Sequence, residues 1–166
     1  MSNSAEFMRH AVLREQITQF LILEARLQDE HEFEQWEKLW TEDAIYWIPA
    51  NGDAIDPETE MSIVYDNRSR IALRVRQLLT GKRHTQEPRS RLRRLISNIE
   101  LLDENDAEIR VSANSMIFES NQRDDTVWAA RIEYLLRQEP DGLRMAFKKV
   151  ALVNNDKPLY TMSFLV

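Results

Sequence analysis

Residues 126–153 read TVWAARIEYLLRQEPDGLRMAFKKVALV, and the fold turns on this stretch. Trp128, Ala130, Ile132, Tyr134 and Leu136 alternate with Ala129, Arg131, Glu133 and Leu135. A period of two puts alternate side chains on opposite faces of a β-strand. Glu139-Pro140-Asp141-Gly142 then supplies turn chemistry, and Leu143, Met145, Phe147, Lys149, Ala151 and Val153 mark a second strand. Working back, Ile109, Val111, Ala113, Ser115 and Ile117 repeat the habit, and Leu95, Ile99 and Leu101 sit at even spacing before them. Asp103-Glu104-Asn105-Asp106 and Asn121 to Asp125 separate these runs. Four long strands joined by short turns predict an antiparallel meander.

The first half has a helical period. Leu13, Ile17, Phe20, Leu21 and Leu27 mark one face of a helix over 11–28, which Asp29 and Glu30 interrupt. Phe33, Trp36 and Trp40 predict a short second helix, with acids in its first turn where the helix dipole favours them. Ala44 to Ile48 reads as a strand stopped by Pro49, and Asn51 to Glu60 as a surface loop. Residues 61–79 read as a third helix with Ile71, Val75 and Leu78 as its stripe and Gly81 as its stop. Three helices followed by a meander are an α+β arrangement. The helices must cover one face of the sheet, and long twisted strands wrap around them into an open cone.

Composition narrows the chemistry. The chain has 166 residues, expected to form one domain over 1–166. An apolar share of 43% and a charged share of 30% are ordinary for a soluble globular protein. No apolar run approaches the roughly 18 residues of a membrane span, and Met1 to His10 has no secretory core. A cytoplasmic address with no membrane partner is therefore expected. With no cysteine, the chain cannot supply a disulfide, a zinc–thiolate site, a catalytic thiol or iron–sulfur ligands. His10, His31 and His84 are not spaced as a metal-binding pair.

Net charge is −6, unevenly spread. Asp66 to Arg94 holds ten basic residues and two acids, so the window carries +8 and the rest of the chain −14. Guanidiniums pair bidentately with carboxylates across interfaces. Arg89, Arg91, Arg93 and Arg94 are the expected centre of a subunit interface, with Arg68, Arg70 and Arg74 beside them. Alternation places Arg89, Arg91 and Arg93 on one face and Arg94 on the other. The acidic balance and the lack of a nucleic-acid-binding motif argue against a nucleic-acid partner.

Residues 32–49, EFEQWEKLWTEDAIYWIP, resemble the small (β) subunits of aromatic-ring-hydroxylating dioxygenases. Their pattern is a helix ending W-x-x-L-(F/W), followed by E-D-x-x-Y-W-x-P. Arg70-Ile71-Ala72-Leu73-Arg74-Val75 and Pro88-Arg89-Ser90-Arg91-Leu92-Arg93-Arg94-Leu95-Ile96-Ser97-Asn98 are similar to the same subunits. So is the apolar end, Pro158 to Val166. The resemblance runs from about residue 10 to the end. It implies a nuclear-transport-factor-2-like cone. It also implies a large (α) partner subunit carrying a Rieske [2Fe–2S] cluster and a mononuclear Fe(II), three of each subunit together. Reductase and ferredoxin would feed electrons from NAD(P)H through the large subunit alone, and an arene would become a cis-dihydrodiol. On that reading this chain has no catalytic, cofactor-binding or metal-binding residue.

The same cone also hosts stand-alone enzymes, such as dehydratases and isomerases, and small-ligand binding modules. For these the candidate groups are Asp43, Tyr46, Tyr65 and His84. A deep polar pocket would favour them, and a cone plugged by Trp and Phe would favour the subunit.

Overall fold

The computed structural model describes residues 3–53, 55–80, 89–156 and 164–166. Helix α1 (Asn3–Asp29) buries Leu13, Ile17, Phe20, Leu21 and Leu27, the stripe read from the sequence. It begins well before residue 11. Phe7 and Met8 are exposed there, so no core stripe betrays these turns, and Arg9 ties them to Glu104 at 3.1 Å. The helix ends in a Schellman turn, with Glu32 N–H donating to Leu27 O and His31 N–H to Gln28 O. His31 holds the left-handed position usual for glycine, φ 58°, and its ring Nε2 bonds the Ser90 carbonyl oxygen at 3.0 Å.

Helix α2 (Phe33–Glu37) is shorter than expected, and strand β1 (Trp40–Pro49) is longer. Trp40, expected on the helix, opens the strand beside Met145. The expected helix over 61–79 splits into strand β2 (Ser62–Asn67) and helix α3 (Arg68–Leu79). Val64 and Tyr65 pair with Ile48 and Trp47 of β1, and a β-branched–aromatic run suits such a pairing. Asn67 starts α3 by accepting the Arg70 N–H at 3.0 Å, a conventional N-cap. Ile71, Val75 and Leu78 form the buried stripe as expected. Gly81, the expected stop, lies outside the described residues, and Thr80 is the C-cap.

Four long strands follow as expected: β3 (Arg91–Glu104), β4 (Glu108–Ser120), β5 (Asp125–Glu139) and β6 (Gly142–Leu152). The sheet order is β2-β1-β6-β5-β4-β3. The meander is antiparallel, but β1 joins β6 in parallel, so the sheet is mixed. Gly142 closes the β5–β6 turn at φ 130°, a conformation that L side chains rarely adopt.

Two irregularities change which side chains face the core. In β3, the register shifts between Ser97 and Glu100, with Asn98 at φ 52°. Leu95 therefore points outward, 63% exposed, while Ile99 and Leu101 pack on the core. The alternation had placed all three together. In β6, Leu135 pairs with Phe147 but Leu136 with Met145, leaving Ala146 as a bulge. Met145 faces inward before it, and Lys148, Val150 and Leu152 face inward after it. The alternating run read from Leu143 to Val153 is thus split, with Met145 inward but Phe147, Lys149 and Ala151 on the other face, because a one-residue slip exchanges the faces of a strand.

The core lies between the concave face of the sheet and the helices. Its centre is aromatic, with Trp36, Trp40 and Tyr46 in mutual contact at centroid distances of 5.4, 5.8 and 5.5 Å.

Candidate functional site

The bulge in β6 delivers a lysine into the cone. Lys148 Nζ donates to Glu24 Oε2 at 2.7 Å, with the two side chains 1% and 2% exposed. Glu24 lies on the apolar stripe of α1, between Leu21 and Leu27. Trp36 Nε1 donates to the same oxygen at 3.1 Å, and the Tyr134 hydroxyl donates to Oε1 at 2.8 Å. Burial lowers the Lys148 pKa, and the Glu24 charge opposes that shift. Burial, then the Glu24 charge, pushes the Tyr134 hydroxyl well above its ordinary value. Three donors on one carboxylate, all of them from inside the core, make a network that stiffens it.

A second polar node sits at the end of α1. Asp29 accepts the Arg94 backbone N–H at 3.0 Å and Arg94 Nε at 2.7 Å. Arg94 Nη2 donates onward to the Leu165 carbonyl oxygen at 3.1 Å. The Tyr46 hydroxyl donates to the Val166 oxygen at 2.7 Å. Phe164, Leu165 and Val166 are buried and belong to the core, with Phe164 edge-on to Trp128 at 5.9 Å.

The candidate groups of a stand-alone enzyme are not brought together. Asp43 is at the surface, gripped by Arg137 at 2.8 and 3.2 Å and by the Thr41 hydroxyl at 2.8 Å. Those bonds, Arg137 first, hold its carboxyl down to about 2, which makes a feeble base. The Tyr65 hydroxyl donates to Glu58 on the exposed side. Tyr46 is inside, with burial as the main cause of its raised pKa. His84 lies outside the described residues. Glu24, Tyr134 and Lys148 were missed. Glu24 was legible as a carboxylate on an apolar stripe, whereas Lys148 needed the bulge. Among the described residues, no group of three His, Cys, Asp or Glu side chains is placed to hold a metal ion, and no helix is long and apolar enough to cross a membrane.

The arginine segment divides. Arg94 is an internal strut, its side chain 2% exposed. Arg74 is engaged by Asp66 at 2.7 Å and Arg68 by Glu37 at 3.4 Å. Arg70, Arg89, Arg91 and Arg93 remain exposed, with Arg89 over the Phe33 ring at 5.4 Å. Pairing aligns Arg93 with Phe118 and Phe118 with Val127, and Leu95 with Met116. Leu95, Met116, Phe118 and Val127 are 63%, 43%, 49% and 52% exposed. They form an apolar strip on the convex face, edged by arginine, and two of them, Phe118 and Val127, line a groove of about 970 Å³ together with His31 and Arg89.

A family model described as "Ring hydroxylating beta subunit" matches residues 23–156. The chain belongs to the β subunits of the ring-hydroxylating dioxygenases. It is 30% identical over 143 residues to the small oxygenase component of the p-cumate 2,3-dioxygenase system of Pseudomonas putida, covering 85% of this chain and 79% of that one. The β subunit of benzoate 1,2-dioxygenase from Burkholderia mallei superposes with a TM-score of 0.73 at 24% identity, covering 84% and 89% of the two chains. An NTF2-like protein with a cystatin-like fold from Novosphingobium aromaticivorans superposes with a TM-score of 0.62 at 18% identity, covering 92% and 89%. The expected cone and the expected β-subunit membership both stand. The motifs at residues 32–49 and 88–98 lie within the matched span.

Proposed function

We propose that this β subunit is a non-catalytic structural partner, one folded unit over residues 1–166, that binds an iron-carrying large subunit and stabilises the assembled dioxygenase. The large subunit would hold the Rieske cluster and the mononuclear iron and receive electrons from NAD(P)H through reductase and ferredoxin. It would convert an arene to a cis-dihydrodiol in aromatic catabolism. The assembly would contain three large and three small subunits, in the cytoplasm.

The exposed strip of Leu95, Met116, Phe118 and Val127, with Arg93 and then Arg91 at its side on β3, carries the proposal. Contiguous exposed apolar residues rimmed by arginine are typical of a surface that a partner covers. The large subunit is the partner assigned to it. Of the arginines first expected there, Arg91 and Arg93 stay at its centre, with Arg89 and Arg70 outside, and the internally engaged Arg94, Arg74 and Arg68 leave the set.

Co-expression with the large subunit tests this. Phe118→Asp and Met116→Asp should abolish the mixed complex in native mass spectrometry while the free small subunit keeps its fold. A mixed complex of unchanged stability in both variants would refute the surface assignment.

A further inference from the structure

On the concave side, Phe164–Val166 lies in the cone as a ligand lies in a pocket. Two buried donors from different strands converge on its backbone: Arg94 Nη2 on the Leu165 oxygen at 3.1 Å, and the Tyr46 hydroxyl on the Val166 oxygen at 2.7 Å. The Val166 N–H donates back to the Tyr46 hydroxyl at 3.3 Å. Both donors are fixed without the tail. Arg94 is forked onto Asp29, and the Tyr46 ring is wedged between Trp36 and Trp40. Trp128 supplies an aromatic wall against Phe164, its indole N–H held by Glu119 Oε1 at 3.1 Å. Beside Trp128 the inward-facing positions of the sheet are small: Ala130 on β5, paired with Ser115 on β4, and Ala113 two residues before it. The Ser115 hydroxyl is buried and finds no hydrogen-bond partner among the described residues.

We infer that the inner cone is a built binding site for an apolar body bearing a carbonyl or carboxylate oxygen, filled in cis by Phe164, Leu165 and Val166. The preorganised donors cost little to align when an oxygen arrives. With the tail gone, Arg94 Nη2 and the Tyr46 hydroxyl would be left as buried donors without those acceptors. Such groups are costly, so any ligand that satisfies them is favoured. The same chemistry can come from the tail or from a free molecule, and the tail has the advantage of high effective concentration. The inference is independent of the convex surface proposed above, because it concerns the opposite face of the sheet.

The test removes the tail and returns it in trans. The variant lacking residues 164–166 is titrated with acetyl-Phe-Leu-Val, with acetyl-Gly-Gly-Gly as control. Binding is followed by calorimetry and by the NMR signals of the Trp128 indole and the Arg94 side chain. Saturable binding of acetyl-Phe-Leu-Val is expected, with a rise in Tm at millimolar peptide as mass action requires. Adding Tyr46→Phe should weaken it by about tenfold, the usual share of one buried hydrogen bond. The full chain should bind at least about tenfold more weakly than the truncated one, because its site is occupied. A folded truncated variant that ignores the peptide, or a full chain that binds it equally well, would overturn the inference.

If the truncated chain does not fold, full-length Tyr46→Phe gives the reading instead. Hydrogen exchange at the Val166 amide should rise by about tenfold. Unchanged exchange there would equally overturn the inference.

Discussion

Lys148 and Glu24, 124 residues apart in the chain, meet inside the cone at 2.7 Å with both side chains almost wholly buried. Neither charge is affordable alone at that depth, so the pair ties the bulged strand β6 to α1 in one register.

Lys148→Met should therefore be costly. It leaves the Glu24 carboxylate buried with only Tyr134 and Trp36 as neutral donors, and breaking such a pair typically costs about 3–5 kcal/mol. The double variant Glu24→Leu/Lys148→Met should be more stable than Lys148→Met, because no unpaired charge remains. It should stay below the parent, since the Tyr134 hydroxyl and the Trp36 N–H lose their acceptor. Urea unfolding measures all three, and a Lys148→Met cost under about 1 kcal/mol would contradict the network's role.

Arg93 and Arg94 are adjacent and should behave oppositely. Arg94→Ala strands Asp29 and the Leu165 carbonyl, so the isolated subunit should lose about 2–5 kcal/mol of stability. Arg93→Ala, at the exposed position beside Phe118, should leave the isolated fold within about 0.5 kcal/mol and act on assembly. Parallel melting of the free subunit and native mass spectrometry of the complex separate the two effects. Equal melting losses in both variants would remove the distinction.

Asp43 sets a modest acid sensitivity. Its carboxyl is held at about 2 against an ordinary 3.8. Between those values the unfolded chain binds more protons than the folded one, so stability falls as pH falls through that window. Solvent screens this surface pair, so under about 1 kcal/mol is at stake. A carboxyl NMR titration should place the Asp43 midpoint near 2, and Arg137→Ala should return it toward 3.8. A parent midpoint already at the ordinary value would disprove the grip of Arg137.

In the purified holoenzyme, Asp43→Asn and His84→Ala should leave turnover per bound iron within about twofold, a barrier change under ~0.5 kcal/mol. The small subunit expressed alone should hold no stoichiometric iron, which metal analysis reads directly. A thousandfold loss with assembly intact would place a reacting group on this chain. About one tightly held iron per isolated chain would do the same for a metal site.

Much of the architecture was legible because it is written in local patterns. The stripes of α1 and α3, the alternation in β4 and β5, and the turn at Glu139 to Gly142 each depend on neighbours a few residues away. The motifs of residues 32–49 and 88–98 carried the family in the same way. Strand β2 escaped because a six-residue strand that ends on the capping Asn67 reads as the start of the helix it precedes. What only the tertiary structure decided is register. Two irregularities, at Asn98 and Ala146, turned Leu95 outward and Lys148 inward. Alternation had set Arg94 and Arg93 on opposite faces, but only the distant partners Asp29 and Leu165 made Arg94 a buried strut rather than an interface residue. Each of these outcomes is an energy between segments far apart in the chain, and such an energy exists only once the backbone has brought them together.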